Sequence, residues 1–567
     1  MNNKFSISAI FLVSVMMIVS SCTKDLNVTP IDPSVITSGN IATSKSQVEG
    51  ALAKVYASFA IAGQNGSTST SGADITTNDD NFNTTFRAMW NLQELTTDEA
   101  ACAWGDPGIA DLNKQTWANS NPFLTALYDR LVLSVTYANS VINLTKSSND
   151  ADFIKYNAEA RFLRAMAYYY AIDMFGNPPF ITENSPIGPV FPSQIDPDLT
   201  KARPMLFNYI VKDLHDIAYK LGDPGFSYPR ADRASCWMLL SKLYLNAKVY
   251  TGTAKWDSCK LYCDSVINCG KYQLAKNYRQ NFGSNNDYPE NPEMILGWAY
   301  DGIYTQGYIG STFLIESCSN GTYIDANKLG LHTNTNWGGN RGKIQLLNEL
   351  VDTLTIYASN GGKIPTPANH IDSIFAQSPD QRVYLWTLQS NQMYSTSQYI
   401  QGIGVYKFTN NQVNDAYSVG GKNDTIHAPN YNSAYSSTDI PVFRLADAYL
   451  MRAESEANLN DYTNAANDVN VVRERAFGGS KAYDITSATL QAQPLYLLFE
   501  RGREFYYEAQ RRTDLVRFGQ FIDGSYMWTW KGNSFSGLNL QESNMNVFPL
   551  PASELQANPN IKQNPGY

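Results

Sequence analysis

Small and apolar residues recur every three or four positions between residues 446 and 476, a spacing that indicates helices rather than strands. The first run comprises Ala446, Tyr449, Leu450, Ala453 and Ala457. Pro441 lies just before it, where a missing N–H costs a helix little. A second run begins after Asp461, whose carboxylate can accept hydrogen bonds from a helix start. Two helices joined by so short a break must pack antiparallel, so this segment predicts a helical hairpin.

The same layout of two helices with a short break recurs at residues 234–250 and 256–272. Both pairs resemble tetratricopeptide units. Further helical patterns cover residues 43–60, 123–146, 155–175, 203–222, 231–250 and 255–268. The sequence therefore predicts a mostly α fold built as a tetratricopeptide-like scaffold of helical pairs, without fixing the number of repeats.

A third helix, predicted over residues 495–506, is dense in charge. The charged residues in it and just after it are Glu500, Arg501, Arg503, Glu504, Glu508, Arg511 and Arg512. Opposite charges three or four residues apart commonly form pairs on a helix surface. We therefore predict surface ion pairs here rather than a binding or catalytic site.

Composition divides the chain into five segments. Residues 1–21 form an export signal, with Lys4 before an apolar run that is too short to span a bilayer. Residues 22–42 form a polar tether, 43–279 an N-terminal helical scaffold, and 441–567 a C-terminal helical region with its tail. Residues 280–440 are rich in Gly, Asn, Ser, Thr and Tyr, which predicts a loop-rich, partly β insertion.

The signal ends in Val19-Ser20-Ser21-Cys22, which resembles the lipobox of bacterial lipoproteins. Lipidation of the Cys22 thiol would tether a folded body to a membrane surface. An ordinary signal peptide with an incidental cysteine is the alternative.

Charge and residue counts exclude several classes of function. The net charge of −9 argues against nucleic acid or anionic lipid as the main partner. The four histidines lie far apart, and no CxxC pair occurs among the seven cysteines, so a zinc ribbon or a thioredoxin-like site is not expected. Cys259 and Cys263 are one helical turn apart, and a disulfide to Cys269 or to a distant cysteine stays open, as does a bound cation.

Three aromatic residues lie in predicted loops rather than on helix faces: Trp104, Tyr308 and Trp337. Each has glycine close by, which lets a large ring stand exposed. A sugar ring has a flat apolar face that matches such a ring, so we predict that these residues contact ligand. Asp98 and Glu99 are adjacent in sequence and point to different faces, which favours a structural role over acid–base catalysis.

Several sequence blocks resemble signatures of the SusD/RagB family of surface glycan-binding lipoproteins of Bacteroidetes. They are Asn91–Glu99, Glu159–Pro179, Phe443–Glu454, Glu500–Phe505, Arg511–Gly519 and Asn558–Tyr567. Several blocks in order are more specific than one short motif, and the resemblance spans nearly the whole mature chain.

The resemblance implies a SusD-like fold, no enzymatic activity and no cofactor. It extends to starch-binding members, whose aromatic arc matches Trp104, Tyr308 and Trp337 in local context. Where those members supply an Asn shortly after the tryptophan, this chain has Asp106-Pro107-Gly108, so Asp106 is the candidate replacement. The resemblance implies that the cargo is starch or malto-oligosaccharide and that the insertion at residues 280–440 binds this glycan. The implied partner is a SusC-like TonB-dependent transporter at the outer membrane, with the protein lipid-anchored and exposed at the cell surface.

Three alternatives stay open at this stage. The same family could carry another glycan or a host glycoprotein oligosaccharide. A tetratricopeptide-like scaffold could instead bind peptide or protein. The third alternative is a glycoside hydrolase. No GxSxG, HExxH or P-loop pattern occurs, which argues against an enzyme. The alternative stays open because dispersed carboxylate pairs leave no sequence signature.

Overall fold

The computed structural model describes residues 44–63, 72–75, 84–186, 191–319, 321, 326–331, 335–349, 379–390, 392–413, 431–540 and 542–567. The predicted signal, Cys22 and the tether over 22–42 lie outside these residues. The chain divides into two compact units, residues 1–50 and 51–567. Within the first unit, the structure describes the opening turns of helix α1; the features below belong to the second.

The first half of the chain is helical, as predicted. Its helices are α1 (Lys45–Ala60), α2 (Thr85–Trp90, continued by a π-helical turn at Asn91–Leu95), α3 (Ile109–Lys114), α4 (Pro122–Thr145), α5 (Ala151–Met174), α6 (Leu199–Ile217), α7 (Arg233–Leu245), α8 (Ala247–Thr251) and α9 (Trp256–Asn268). The helices α4 to α7 each begin after an Asn or Asp whose side chain accepts a hydrogen bond from the first turn: Asn121, Asp150, Asp198 and Asp232.

The remaining helices are α10 (Ser311–Cys318), α11 (Ile344–Glu349), α12 (Leu445–Asn458), α13 (Tyr462–Ala476), α14 (Ser487–Ala492), α15 (Tyr496–Phe505), α16 (Arg511–Arg517) and α17 (Ala552–Ala557). The scaffold packs in chain order from α4 to α7, α7 packs on α9, and α9 packs directly on α12. The long segment between α9 and α12 therefore leaves the series of helical pairs unbroken.

The hairpin of α12 and α13 forms as predicted, and Asp461 accepts a hydrogen bond from the backbone N–H of Asn464. Its facing residues form an apolar core with α14 and α15, including Ala446, Leu450, Val469, Val472 and Phe505. These are the positions that the 3.6-residue spacing selects, because a helix buries one face against its neighbours.

Six short strands lie in the described part of the chain, five of them within or at the border of the predicted insertion at 280–440. They are β1 (Ala100–Cys102), β2 (Met294–Trp298), β3 (Asn340–Gly342), β4 (Leu385–Thr387), β5 (Ile403–Val405) and β6 (Ile440–Arg444). One antiparallel sheet has the order β1-β3-β5-β4, and β2 pairs with β6. Pro441 thus lies in a strand rather than beside a helix. A two-stranded ladder with an irregular register tolerates the missing N–H of a proline.

The charges of α15 and α16 are buried, so the prediction of surface ion pairs is wrong. Glu500 and Glu504 are both fully buried. They lie four residues apart, where like charges on one helix face repel each other. Apart from Arg503 on the same helix, their partners come from distant segments, which sequence spacing cannot show.

We call this cluster the ion-pair network. Its acidic members are Glu293, Asp380, Glu500, Glu504 and Glu508, and its basic members are Arg382, Lys407, Arg444, Arg473, Arg475 and Arg503. Burial alone would raise the pKa of Glu500, but Arg382, Arg473 and Arg503 outweigh it and hold that pKa well below its ordinary value. The network joins the insertion to the C-terminal helices.

Asp98 and Glu99 are also buried, and their carboxylates make structural contacts. Asp98 accepts two hydrogen bonds from the Arg511 guanidinium, at 2.9 and 2.7 Å, and one from the Tyr526 hydroxyl at 2.8 Å. Glu99 accepts the backbone N–H of Tyr507 at 3.0 Å. Both carboxylates therefore fasten the start of β1 to the C-terminal part of the chain.

The six cysteines within the described residues are free thiols. Cys259 and Cys263 both lie buried on α9 with their sulfurs 4.0 Å apart. Neither is paired with Cys269, which leaves the disulfide considered from the sequence unformed. In the part of the chain that the structure describes, no helix is long and apolar enough to cross a bilayer.

Candidate functional site

The β1–β3 ladder brings two distant tryptophans to one end of the sheet. Ala100 pairs with Gly342, Cys102 pairs with Asn340, and the ladder continues through a hydrogen bond from the N–H of Ala103 to the carbonyl of Gly339, at 2.9 Å. Trp104 therefore leaves β1 beside the residues that enter β3, where Trp337 lies. The two ring centroids are 6.3 Å apart.

The Gly338-Gly339 pair makes this close approach feasible. Both residues have positive φ values, 62° and 102°. The indole N–H of Trp104 donates to the carbonyl of Gly338 at 2.9 Å. A Cβ at Gly339 would lie 2.2 Å from that indole nitrogen, so only glycine fits here.

Helix α10 holds the other rings. Tyr308 lies just before it, and its ring centroid is 5.8 Å from that of Trp337. Phe313 on α10 packs edge-on against Trp104 at 5.9 Å. The carbonyl of Glu316 accepts the N–H of Gly338 at 3.1 Å, and its carboxylate accepts the Thr335 hydroxyl at 3.2 Å. One short helix thus fixes the loops that carry Trp337 and Tyr308.

A fourth ring, Tyr435, extends the set. Its centroid lies 4.9 Å from that of Tyr308, and the backbone N–H of Ser436 donates a hydrogen bond to the hydroxyl oxygen of Thr312 on α10 at 2.9 Å, which holds its loop. The sequence reasoning missed Tyr435, although its Asn- and Ser-rich loop is of the kind used to select the others. We call Trp104, Trp337, Tyr308 and Tyr435 the aromatic row.

The rings of the aromatic row are not parallel. Successive ring planes are inclined by 62°, 62° and 44°. All four side chains are partly exposed, so a ligand can reach each of them from solvent. The structure therefore brings together Trp104, Tyr308 and Trp337, which the sequence analysis had selected separately.

Polar groups flank the row at both ends. The buried Arg87 of α2 lies 5.2 Å from the Trp104 ring and donates to the Asp106 carboxylate at 3.1 Å. The Asp106 side chain is 36% exposed, so one face of the carboxylate stays open to a ligand. At the other end, a hydrogen bond with Tyr435 and partial burial raise the pKa of Tyr308 above its ordinary value.

Within the described residues, no group of three or more His, Cys, Asp or Glu side chains is placed to hold a metal ion. The row itself offers ring faces, a phenol pair and one carboxylate. This set can bind an uncharged polyhydroxylated ligand by stacking and hydrogen bonding.

The profile of the SusD family matches residues 292–567. The starch-binding protein SusD of Bacteroides thetaiotaomicron is 32% identical, over 97% of this chain and 96% of that protein. The chain belongs to the SusD family. That family is one of glycan-binding proteins and not of enzymes, which confirms the family prediction and the expectation of no catalytic activity.

Other relatives agree with this assignment. The SusD-like protein P25 of Formosa agariphila is 26% identical, over 71% of this SusD-family chain and 70% of P25. The surface glycan-binding protein A of Bacteroides fluxus has the same fold, with a TM-score of 0.63, 18% identity and coverage of 92% of this chain and all of that one. A SusD superfamily protein of B. thetaiotaomicron gives a TM-score of 0.63 at 15% identity, over 92% of this chain and all of that one. The predicted SusD-like helical fold is thereby confirmed.

Proposed function

We propose that this SusD-family protein captures starch and malto-oligosaccharides on the aromatic row. The observation that carries the proposal is the unbroken contact from Trp104 through Trp337 and Tyr308 to Tyr435, at centroid distances of 4.9 to 6.3 Å. Each ring can cover the apolar face of a sugar, and adjacent rings can cover successive sugars.

The inclination between successive rings favours an α-1,4-glucan. Because neighbouring ring planes are inclined by 44° to 62°, a flat ligand could not stack on all four of them. An α-1,4-linked chain is itself bent into a helix, whereas a flat, extended glycan would meet only one or two of these rings. The starch-binding name of the B. thetaiotaomicron relative supports the same cargo.

Hydrogen bonds would then fix the orientation of the sugars. Asp106 can accept from sugar hydroxyls while Arg87 holds its carboxylate in place. The Tyr308 and Tyr435 hydroxyls can donate to or accept from the ligand at the other end. Because both partners give up hydration, we expect a dissociation constant in the micromolar to millimolar range, about −8 to −4 kcal/mol.

The cellular setting belongs to the same proposal. Cys22 would carry the lipid that anchors the protein to the outer membrane, with residues 23–42 as the tether. The body would face outward and pass its cargo to a SusC-like TonB-dependent transporter. Metabolic labelling with an alkyne palmitate tests the anchor, because Cys22→Ala should abolish the label. Recovery of a TonB-dependent transporter with the tagged, membrane-extracted protein tests the partner.

Calorimetry of residues 23–567 with maltoheptaose and β-cyclodextrin tests the cargo. We expect saturable heat with both, because both present a curved α-1,4 surface. Trp337→Ala removes the central ring of the row and should weaken binding by about 1.5–3 kcal/mol, roughly 10- to 100-fold. Tyr219→Ala is the matched control, since Tyr219 is 77% exposed and lies outside the row.

The outcomes separate the candidate ligands. Absence of heat from folded protein with either α-glucan would contradict the starch assignment and direct the search to other glycans, including host glycoprotein oligosaccharides. Binding that is unaffected by Trp337→Ala would place the glycan elsewhere. Binding of peptides instead, insensitive to the same substitution, would favour a peptide-binding scaffold.

A further inference from the structure

A second cavity adjoins the Tyr435 end of the aromatic row. It is open to solvent and has a volume of about 530 Å³. Thr305 and Ser437 line it, and they belong to the loops that carry Tyr308 and Tyr435. The two loops are tied together by a hydrogen bond from the Asn432 amide to the carbonyl of Gly302, at 2.9 Å. The cavity and the Tyr435 end of the row are therefore built on the same two loops.

The cavity wall offers fixed hydrogen-bonding groups. Asp439 accepts from the Tyr228 hydroxyl at 2.5 Å and from the N–H of Tyr300 at 2.8 Å, which holds its carboxylate rigid. The partly exposed Asn285, Thr305 and Gln412 add amide and hydroxyl groups to the lining. Amides and hydroxyls can donate hydrogen bonds to sugar hydroxyls and accept hydrogen bonds from them.

An aromatic ring completes the wall. Tyr288 is half-buried and packs on Tyr272, with ring centroids 5.6 Å apart, so its orientation is fixed by the scaffold. A ring beside amide, hydroxyl and carboxylate groups is the combination that binds one face of a sugar and several of its hydroxyls.

The charge of the wall restricts the ligand. Asp287, Glu290 and Asp301 line the cavity together with Asp439, whose burial raises its pKa to about 7 and leaves it only partly charged at neutral pH. None of the described residues that line the cavity is basic. These carboxylates do not converge on a metal position in the described residues. They can accept hydrogen bonds from hydroxyls and would repel a uronate or a sulfated sugar.

We propose that this cavity is a second carbohydrate subsite, which takes an uncharged sugar of the same glycan that lies on the aromatic row and excludes anionic sugars. The proposal rests on the proposed function. The cavity makes binding depend on the length and charge of the glycan, in addition to its contacts with the four rings.

The test compares maltotriose with maltoheptaose by calorimetry on residues 23–567. Maltotriose can be held by the row alone, whereas maltoheptaose is long enough to enter the cavity. We expect Tyr288→Ala and Asp287→Asn each to weaken the binding of maltoheptaose about fivefold to tenfold and to leave the binding of maltotriose unchanged. Trp337→Ala should weaken the binding of both oligosaccharides, and Tyr219→Ala should weaken the binding of neither.

A second arm tests the charge selection. Maltoheptaose oxidised at C6 to carry uronates should bind at least about tenfold more weakly than maltoheptaose itself. Asp287→Lys should recover part of that loss, because it places a cation in the wall. Circular dichroism and the melting temperature show that each variant is folded.

The result identifies which proposal fails. If Trp337→Ala weakens both oligosaccharides but the cavity variants weaken neither, the row binds glycan and the second subsite is refuted. Equal weakening of both oligosaccharides by the cavity variants also refutes it. Absence of binding of either oligosaccharide by wild-type protein overturns the α-glucan assignment and this subsite with it.

Discussion

Replacing Glu504 with Gln tests whether the ion-pair network stabilises the fold. Glu504 is fully buried and accepts hydrogen bonds from Arg382 at 3.3 Å, from Arg444 at 2.6 Å and from Arg475. A hydrogen bond to a charged group contributes about 1.5–3 kcal/mol and a neutral one about 1 kcal/mol. The amide keeps one acceptor oxygen and turns an N–H₂ group toward the arginines, so one bond is lost and another weakened. We expect a loss of about 3 kcal/mol, within the range for breaking a buried ion pair.

Thermal unfolding of residues 23–567 measures this loss. The unfolding entropy is about 2.1 cal mol⁻¹ K⁻¹ per residue, or roughly 1.1 kcal mol⁻¹ K⁻¹ for a chain of this length, so Tm should fall by about 3 °C. The control is Lys481→Gln, which breaks a pair with Glu474 whose side chains are 76% and 31% exposed. An exposed pair contributes little, so this variant should change Tm by less than about 1 °C. Equal shifts for the two variants would refute the assignment of a stabilising role to the buried network.

Three further outcomes follow from the structure. Gly339→Ala places a methyl group 2.2 Å from the indole nitrogen of Trp104, so it should displace that ring. Calorimetry should then show about tenfold weaker binding of maltoheptaose, and the tryptophan emission should shift. Burial alone would raise the pKa of Asp447, but its lysine and arginine partners hold that pKa well below the unfolded value of about 3.9. The ionised Asp447 therefore stabilises the fold above pH 4, and this stabilisation is lost as the pH falls. Urea unfolding midpoints measured from pH 7 to pH 3 will show the loss. Of the six thiols in residues 23–567, all within the described part of the chain, only that of Cys269 is partly exposed, so Ellman's reagent should label at most one thiol of that native protein and six in denaturant.

The helical scaffold could be predicted because its signals are local. A 3.6-residue spacing of apolar residues and an Asn or Asp before a helix, such as Asp461, depend on neighbours in the sequence, and the observed ends of α4 and α5 fall within a few residues of the predicted ones. The strand β6 was missed because Pro441 argues against a strand unless the sheet has only two strands, which is a property of the tertiary fold.

The residues of the candidate site could be selected one by one from the sequence, but their arrangement in space could not be predicted. Trp104, Tyr308 and Trp337 were selected because aromatic rings in Gly-rich loops are not needed for a helix core. Their contact depends on the β1–β3 register and on α10, which bring together positions more than 200 residues apart, as in the hydrogen bond from Trp104 to Gly338. The burial of Glu500 and Glu504 was missed for the same reason, since their partners, apart from Arg503, lie in distant segments.

The frame beneath the aromatic row is anchored at the far end of the chain. Trp90 packs on Phe313 of α10 and donates its indole N–H to the carbonyl of Tyr507, while Asp98 before β1 binds Arg511. A shorter fragment that ends before residue 507 would lose this anchor, so the row cannot be excised as a small binding module. The loops at 104–108, 305–308, 335–338 and 431–437 lie on top of that frame. Relatives, or a designed library, could exchange these loops to change cargo while every fixed contact below them is retained.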